Sequence, residues 1–247
     1  RDDGNNKGLA INMGGEYKSP ETDYGRINIE GSFRNENKGF QAVGRNKSIE
    51  YERKWDTGLQ DAGGERVYES NLKYNYKDNM LIKLGGGRLA NDINTTLRNN
   101  QEVRFQYRWL NNFHYTREDI NTDLASEMTK NWTRQRLRSE FGIINVQPYY
   151  EYYNEYRTND SLTADNFKFH ENTIGIGSRN SNPLKEDKFD WNISYHYRDN
   201  YKRPDGNWEK ESRGQDLSIG GKLNNWKSFT AAFKWTNREK EYYTGWN

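Results

Sequence analysis

A chain of 247 residues with 38 basic against 36 acidic side chains and no cysteine excludes disulfide and thiolate-metal frameworks, and gives no bulk charge for holding nucleic acid. The hydrophobic fraction is 32% and the mean hydropathy -1.30; soluble domains hold ~45–50% apolar residues, so a compact core of ordinary size is excluded as well. Yet 18 Tyr, 10 Phe and 8 Trp are too many for a disordered chain, and the combination fits one β domain over residues 1–247 whose apolar surface is a single outward band.

Period-2 alternation runs from end to end, and helical periodicity does not. The first expected strand is Gly8 to Lys18. In the second, RINIEGSFR, Ile27, Ile29, Gly31 and Phe33 share one face and Arg26, Asn28, Glu30, Ser32 and Arg34 the other. A turn at Asn35-Glu36-Asn37 is expected to lead into a third strand ending at Arg53, with a bulge near Gly44 reconciling Phe40 and Ala42 with Ile49 and Tyr51. LKYNY, a KDN turn and MLIKLGGG make the next hairpin.

The clearest hairpin follows. Val103, Phe105, Tyr107 and Trp109 alternate with Arg104, Gln106 and Arg108; after Leu110-Asn111-Asn112 the pattern resumes at Phe113 and Tyr115. One face is aromatic and the other charged, so such a ribbon needs an apolar medium on one side and water on the other. Residues 134–143 then turn at Ile144-Asn145 into 146–157, 167–178 pairs with 189–199 through Pro183, and 213–223 pairs with 228–242 through Asn224-Asn225-Trp226.

Short connections (35–37, 77–79, 110–111, 144–145, 224–226) alternate with long polar ones (54–65, 91–100, 119–132, 158–166, 200–212). Short turns on one rim and long loops on the other are the mark of an outer-membrane barrel. Strands of ~9–11 residues suffice to cross a bilayer at a tilt, whereas no run of 18 apolar residues exists for a spanning helix. The expected fold is all-β, an antiparallel up-and-down transmembrane β-barrel. Thirteen strands are counted, and such barrels have an even number; the expectation is fourteen with the last strand absent from this chain, or twelve if residues 8–18 are not a strand. Trp55, Trp109, Trp132, Trp208, Trp226, Trp235, Tyr242 and Tyr243 are expected in interfacial girdles.

The segments YGRINIEGSFRNENKG, SIEYERKWD and RVYESNLKYNYKDN resemble in texture the FomA-type porins of fusobacteria. LANDINTTL at 89–97, with the order of hairpins after it, resembles the OmpG-like monomeric fourteen-stranded porins. The resemblance implies a passive diffusion channel for small hydrophilic solutes and ions in the outer membrane of a Gram-negative bacterium, without cofactor or catalysis. Its partners are then membrane lipid and the solutes themselves, and a homo-oligomer is compatible with it.

WTRQRLRSEF carries the densest charge pattern. Arg134, Arg136 and Arg138 share a strand face, Glu140 follows, and Leu137, Phe141 and Ile143 lie opposite. With Arg104 and Arg108 they form a basic ladder expected to line the lumen and set its field. Glu30, Glu102, Glu151 and Glu155 have the polar-face parity to supply the opposing wall. The plainer reading of these charges is mutual neutralisation across neighbouring strands. Catalysis finds little support. His114, His170 and His196 are far apart, and Ser194 and His196, two apart on one strand face, are separated by ~7 Å. LGGGRL at 84–89 lacks the GK[ST] and following helix of a phosphate loop, and Asp119, Asp123, Asp160 and Asp165 lack the spacing of an EF-hand. The competing class is a non-transporting surface β protein, an adhesin, a scaffold or a barrel enzyme.

Overall fold

The computed structural model describes residues 8–37, 54–55, 64–124, 128–142, 146–160, 166–178, 188–203, 207–226 and 229–242. They form twelve strands: β1 (Ala10–Lys18), β2 (Arg26–Glu36), β3 (Glu65–Tyr76), β4 (Met80–Ala90), β5 (Asn94–Tyr107), β6 (Leu110–Leu124), β7 (Thr129–Phe141), β8 (Val146–Asn159), β9 (Phe167–Ser178), β10 (Lys188–Lys202), β11 (Glu209–Trp226) and β12 (Phe229–Tyr242). Each strand hydrogen-bonds to its neighbours in sequence, in the order β1 to β12 without a crossover. The fold is an all-β, antiparallel, up-and-down sheet.

The strand expected over residues 8–18 is present as Ala10–Lys18, so the count of twelve among the described residues does not arise from losing it. The expected third strand, 38–53, lies outside the described residues, as do the turns at 144–145 and through Pro183. The turn expected at 35–37 is corrected. Asn35 and Glu36 stay in β2, opposite Arg66 and Glu65 of β3, and Asn37 N donates to Leu9 O at 3.1 Å. Asn224 and Leu223 likewise remain in β11, where an irregularity precedes the Trp226↔Phe229 pair.

Three loops expected to be long are mostly strand. The β4–β5 connection shrinks to 91–93, β6–β7 to 125–128 and β10–β11 to 203–208. The Thr, Asn, Arg and Asp that mimic loop composition are satisfied across strands instead. Thr96 Oγ1 and Thr122 Oγ1 are buried 3.0 Å apart, Arg98 Nε donates to Glu118 at 2.7 Å, and Thr133 Oγ1 donates to Asp119 at 2.7 Å. Polar residues pair well on a ladder when their cross-strand partners complement them.

The chain packs as two compact units, Arg1–Glu102 with Arg117–Thr133 and Arg157–Asp165, and Val103–Thr116 with Arg134–Tyr156 and Asn166–Asn247. In the first unit the register aligns the apolar parity into rows. Tyr17, Ile29, Leu72 and Leu84 form one row, Gly15, Gly31, Ser70 and Gly86 the next, and Met13, Phe33, Tyr68 and Arg88 the third. The polar parity gives Lys18, Asn28, Lys73 and Lys83, then Glu16, Glu30, Asn71 and Gly85. Tyr17, Ile29, Leu72 and Leu84 are 37–60% exposed. The small buried cluster of Trp55, Val67 and Leu89 sits on the other, polar parity. Trp55, expected in a girdle, is fully buried over Gly87, where an added Cβ would stand 2.8 Å from the indole. Lys54 beside it pairs with Glu69.

In the second unit Ile176, Ile193, Ile219 and Trp235 form one apolar row and Ile174, Tyr195, Leu217 and Asn237 the next. Ile174, Ile176, Ile193, Tyr195, Leu217 and Trp235 are 37–62% exposed. Trp235 thus stands amid an isoleucine row rather than at a strand end. On the reverse face lie Thr173, His196 and Asp216, beside Glu171 and Arg198. The tight hairpin between β5 and β6 turns at Arg108-Trp109, not at Leu110-Asn111-Asn112. Arg108 takes the left-handed conformation with φ of 49°, its guanidinium 5.0 Å from the Tyr107 ring centre, and Trp109 stacks on Phe141 at 5.6 Å.

Candidate pore-wall site

Strand alternation puts Arg134, Arg136, Arg138 and Glu140 on one face of β7, and the neighbouring β8 carries Glu151. Arg136 Nε donates to Glu151 Oε1 at 2.7 Å, and its Nη2 reaches the same oxygen. Arg138 Nη1 lies 3.5 Å from Glu151 Oε2, and Arg138 Nε donates to Glu140 Oε1 at 2.5 Å. Gln147 Nε2 closes the chain on Glu140 Oε2 at 2.7 Å. The result is an alternating string, Arg136, Glu151, Arg138, Glu140, in which each inner charge bridges two opposite ones. The Arg136 and Arg138 side chains remain 53% and 40% exposed. Pairs this wet add little stability, and their charges stay available to mobile ions.

The polar network continues on β8 to β11. The Arg138 guanidinium lies 5.7 Å from the centre of the Tyr149 ring, which lies over Gly175. A side chain at Gly175 would occupy the space the phenol ring fills, so glycine there allows the ring to lie flat on the sheet. Tyr153 hydroxyl donates to Glu155, and its ring meets Phe169 edge-on at 5.2 Å. Arg198 covers the other side of Phe169 at 3.9 Å and pairs with Glu171 at 3.5 Å. His196 stands between two carboxylates, Nε2 at 3.1 Å from Glu171 and Nδ1 at 3.3 Å from Asp216.

Glu140 follows the arginines on β7, and Glu151, expected in an opposing wall, pairs with Arg136 and Arg138 side by side on the neighbouring strand. Glu155 serves Tyr153 on β8. Glu30 and Glu102 belong to the first unit and have partners there. Asn28 Nδ2 donates to both Glu30 at 3.1 Å and Glu16 at 3.0 Å, and Lys83 pairs with Glu102 at 2.8 Å. Arg104 is an exposed strand residue of β5, whereas Arg108 leaves the ladder because it forms the turn. Sequence reasoning missed Lys83, Tyr149, Glu171, Arg198 and Asp216. Strand parity was the available signal: Glu171 and Arg198 face each other across β9 and β10 and share the face of His196 and Asp216.

The other candidates resolve into structural roles. Gly85, Gly86 and Gly87 lie within β4, where the amides of Asn71 and Asn100 crowd Gly85. Asp119 is held by Arg117 at 2.7 Å and by Thr133, and Asp160 accepts from Thr129 N and Oγ1 at 3.1 and 2.8 Å. Asp165 lies outside the described residues. Among the described residues no three His, Asp or Glu side chains gather as metal ligands do. No helix among them is long and apolar enough to cross a membrane, which says nothing of crossing by strands. No family model, curated protein or solved structure matches the chain.

Proposed function

We propose that the chain is an outer-membrane porin, a β-barrel that gives small hydrophilic solutes and ions a passive path, with the ion-paired face turned to the water-filled lumen. The observation that carries this reading is the sidedness of the sheet. Ten apolar side chains of the cross-strand rows, Tyr17, Ile29, Leu72, Leu84, Ile174, Ile176, Ile193, Tyr195, Leu217 and Trp235, are 37–62% exposed on the face opposite the charged networks. Full burial of such a side chain is worth ~1.5–3 kcal/mol, so moving ten half-exposed ones into lipid gains roughly 7–15 kcal/mol. That is as large as the whole net stability of an ordinary domain, about 5–15 kcal/mol. Contiguous exposed apolar surface of this kind marks contact with membrane or partner, and apolar-out, polar-in alternation over ~10-residue segments is the pattern of barrel strands.

The strands have the required reach. The shortest, β1, has nine residues and most others 11–15, against ~9–11 needed for a tilted crossing. The 2-residue β5–β6 turn falls on the rim expected to face the periplasm. The deciding experiment is a planar-bilayer recording of the purified chain refolded in detergent. Stepwise conductance rising with salt concentration is the expected result; a protein soluble without detergent, or one that inserts and conducts nothing, removes the porin reading.

A further inference from the structure

On the apolar parity of the first unit, a row of small residues runs across the strands between two rows of large ones. Gly31, Ser70 and Gly86 are its floor, and Phe33 and Tyr68, with ring centres 4.9 Å apart, form one wall. Leu72 and Leu84 stand in the row on the other side. The resulting groove has a volume of about 640 Å³ and is lined mainly by carbon, within the ~300–1,000 Å³ range of small-molecule sites. Arg88 lines it, as does Glu69, whose carboxylate is paired with Lys54. By register Arg66 faces Ala90 and Tyr68 faces Arg88, which makes the two arginines diagonal neighbours on this same face, roughly 7–8 Å apart. Both are exposed, and neither has an ion pair among the described residues.

Two free guanidiniums beside an exposed apolar groove are out of place on a surface meant only for hydrocarbon. Several other arginines of the sheet are matched to carboxylates, as Arg98 is to Glu118 and Arg136 to Glu151. Guanidinium pairs are suited to bidentate binding of phosphate, and an apolar trough is suited to an alkyl chain. Both arginines lie where β3 begins and β4 ends, at the rim of the 37–64 connection. From this charge complementarity, and resting on the porin reading for its orientation, we infer that the groove binds one phosphate-bearing membrane lipid. Its acyl chain lies across Gly31, Ser70 and Gly86, and its phosphate sits on Arg66 and Arg88. A second copy of the chain is a poorer occupant, because a symmetric contact about the groove would set the two arginine pairs against each other, and Glu69, the acid that lines the groove, is already paired with Lys54.

The test uses the full chain, delipidated and folded in neutral detergent, with heat-dependent gel mobility checked on each sample. Native mass spectrometry then follows titration with dipalmitoyl phosphatidic acid, dipalmitoylglycerol and inorganic phosphate. One saturable phosphatidic acid is expected, with no comparable retention of the other two. Arg66→Gln with Arg88→Gln should weaken retention at least tenfold. Gly31→Leu with Ser70→Leu should do the same while keeping mobility, since a Cβ at Gly31 meets nothing nearer than Glu69 O at 3.9 Å. Equal retention by either double variant, or of dipalmitoylglycerol by wild type, overturns the site, and saturation by inorganic phosphate makes it a free-anion site instead. A shift in oligomeric mass in Gly31→Leu/Ser70→Leu with lipid retention unchanged makes the groove a protein interface. A sample that dissolves without detergent refutes the barrel and the lipid site together; one with barrel mobility and no lipid refutes the site alone.

Discussion

Glu151 holds two arginines of β7 by one carboxylate, Arg136 through Oε1 and Arg138 through Oε2. Replacing it by Gln removes one negative charge and leaves Arg138 paired with Glu140 alone. Because these pairs are wet, stability should change by no more than about 1 kcal/mol. The field at the wall should become more positive, and the reversal potential under a salt gradient should move toward anion preference. An unchanged potential would mean that this face does not meet the ion path. Gly175 tests packing on the same wall. The Tyr149 ring lies against its α-carbon, so Gly175→Val forces the ring away and should cost roughly 1–3 kcal/mol as overpacking does. Gly15→Val, where an added Cβ has nothing within 4 Å, is the matched control. Equal loss at both positions in denaturant unfolding would contradict the placement of Tyr149.

Strand parity was readable from residues because it is local: apolar–polar alternation fixed which side chains of RINIEGSFR or DWNISYHY share a face, and the ladders keep those faces. Strand ends were not readable. Segments 94–100 and 119–124 look like loop because loops and polar strands draw on the same Thr, Asn and Asp, and only the partner strand distinguishes them. Thr96 reads as strand once Thr122 is known to lie 3.0 Å away. The turn at Arg108-Trp109 was hidden for a related reason: Asn111 and Asn112 are the better left-handed residues, but the cross-strand packing of Phe105 on Phe113 at 4.6 Å places the turn two residues earlier. Hydrogen exchange checks the revised ends. Amides of Thr96–Asn100 and Ile120–Leu124 should exchange as slowly as those of Val103–Phe105, whereas Asp92 and Ile93 should exchange fast. Fast exchange throughout 94–100 would restore the loop. Faces are tested on one strand by Ile193→Arg and Asn192→Arg. Ile193 belongs to the exposed isoleucine row and Asn192 lies opposite Gly177 and Gly220. In a bilayer the first should cost ~2–4 kcal/mol and the second little; in water the ranking would vanish.

A net charge of +2 spread over 38 cations and 36 anions leaves the whole molecule nearly neutral, so any ion preference must come from arrangement rather than total charge. The ion-paired string on β7 and β8 neutralises itself at long range but not at contact distance, so on the porin reading an ion passing Arg136 or Arg138 would meet a guanidinium on one side and a carboxylate on the other. Alternating walls of this kind slow neither sign strongly, so the wild-type channel should be weakly selective. Replacing Arg134, Arg136 and Arg138 together by Gln removes three cations and leaves Glu140 and Glu151 as surplus anions, and the reversal potential should shift toward cation preference. Salt sets how far that surplus is felt. The Debye length is ~10 Å at 0.1 M, a distance comparable to a pore, and ~3 Å at 1 M. The shift between wild type and the triple variant should therefore be large at 0.1 M and small at 1 M, with heat-dependent mobility unchanged because exposed pairs contribute little to folding. A shift of equal size at both salt concentrations would point to altered pore geometry rather than field, and no shift at 0.1 M with conductance intact would place these arginines off the ion path.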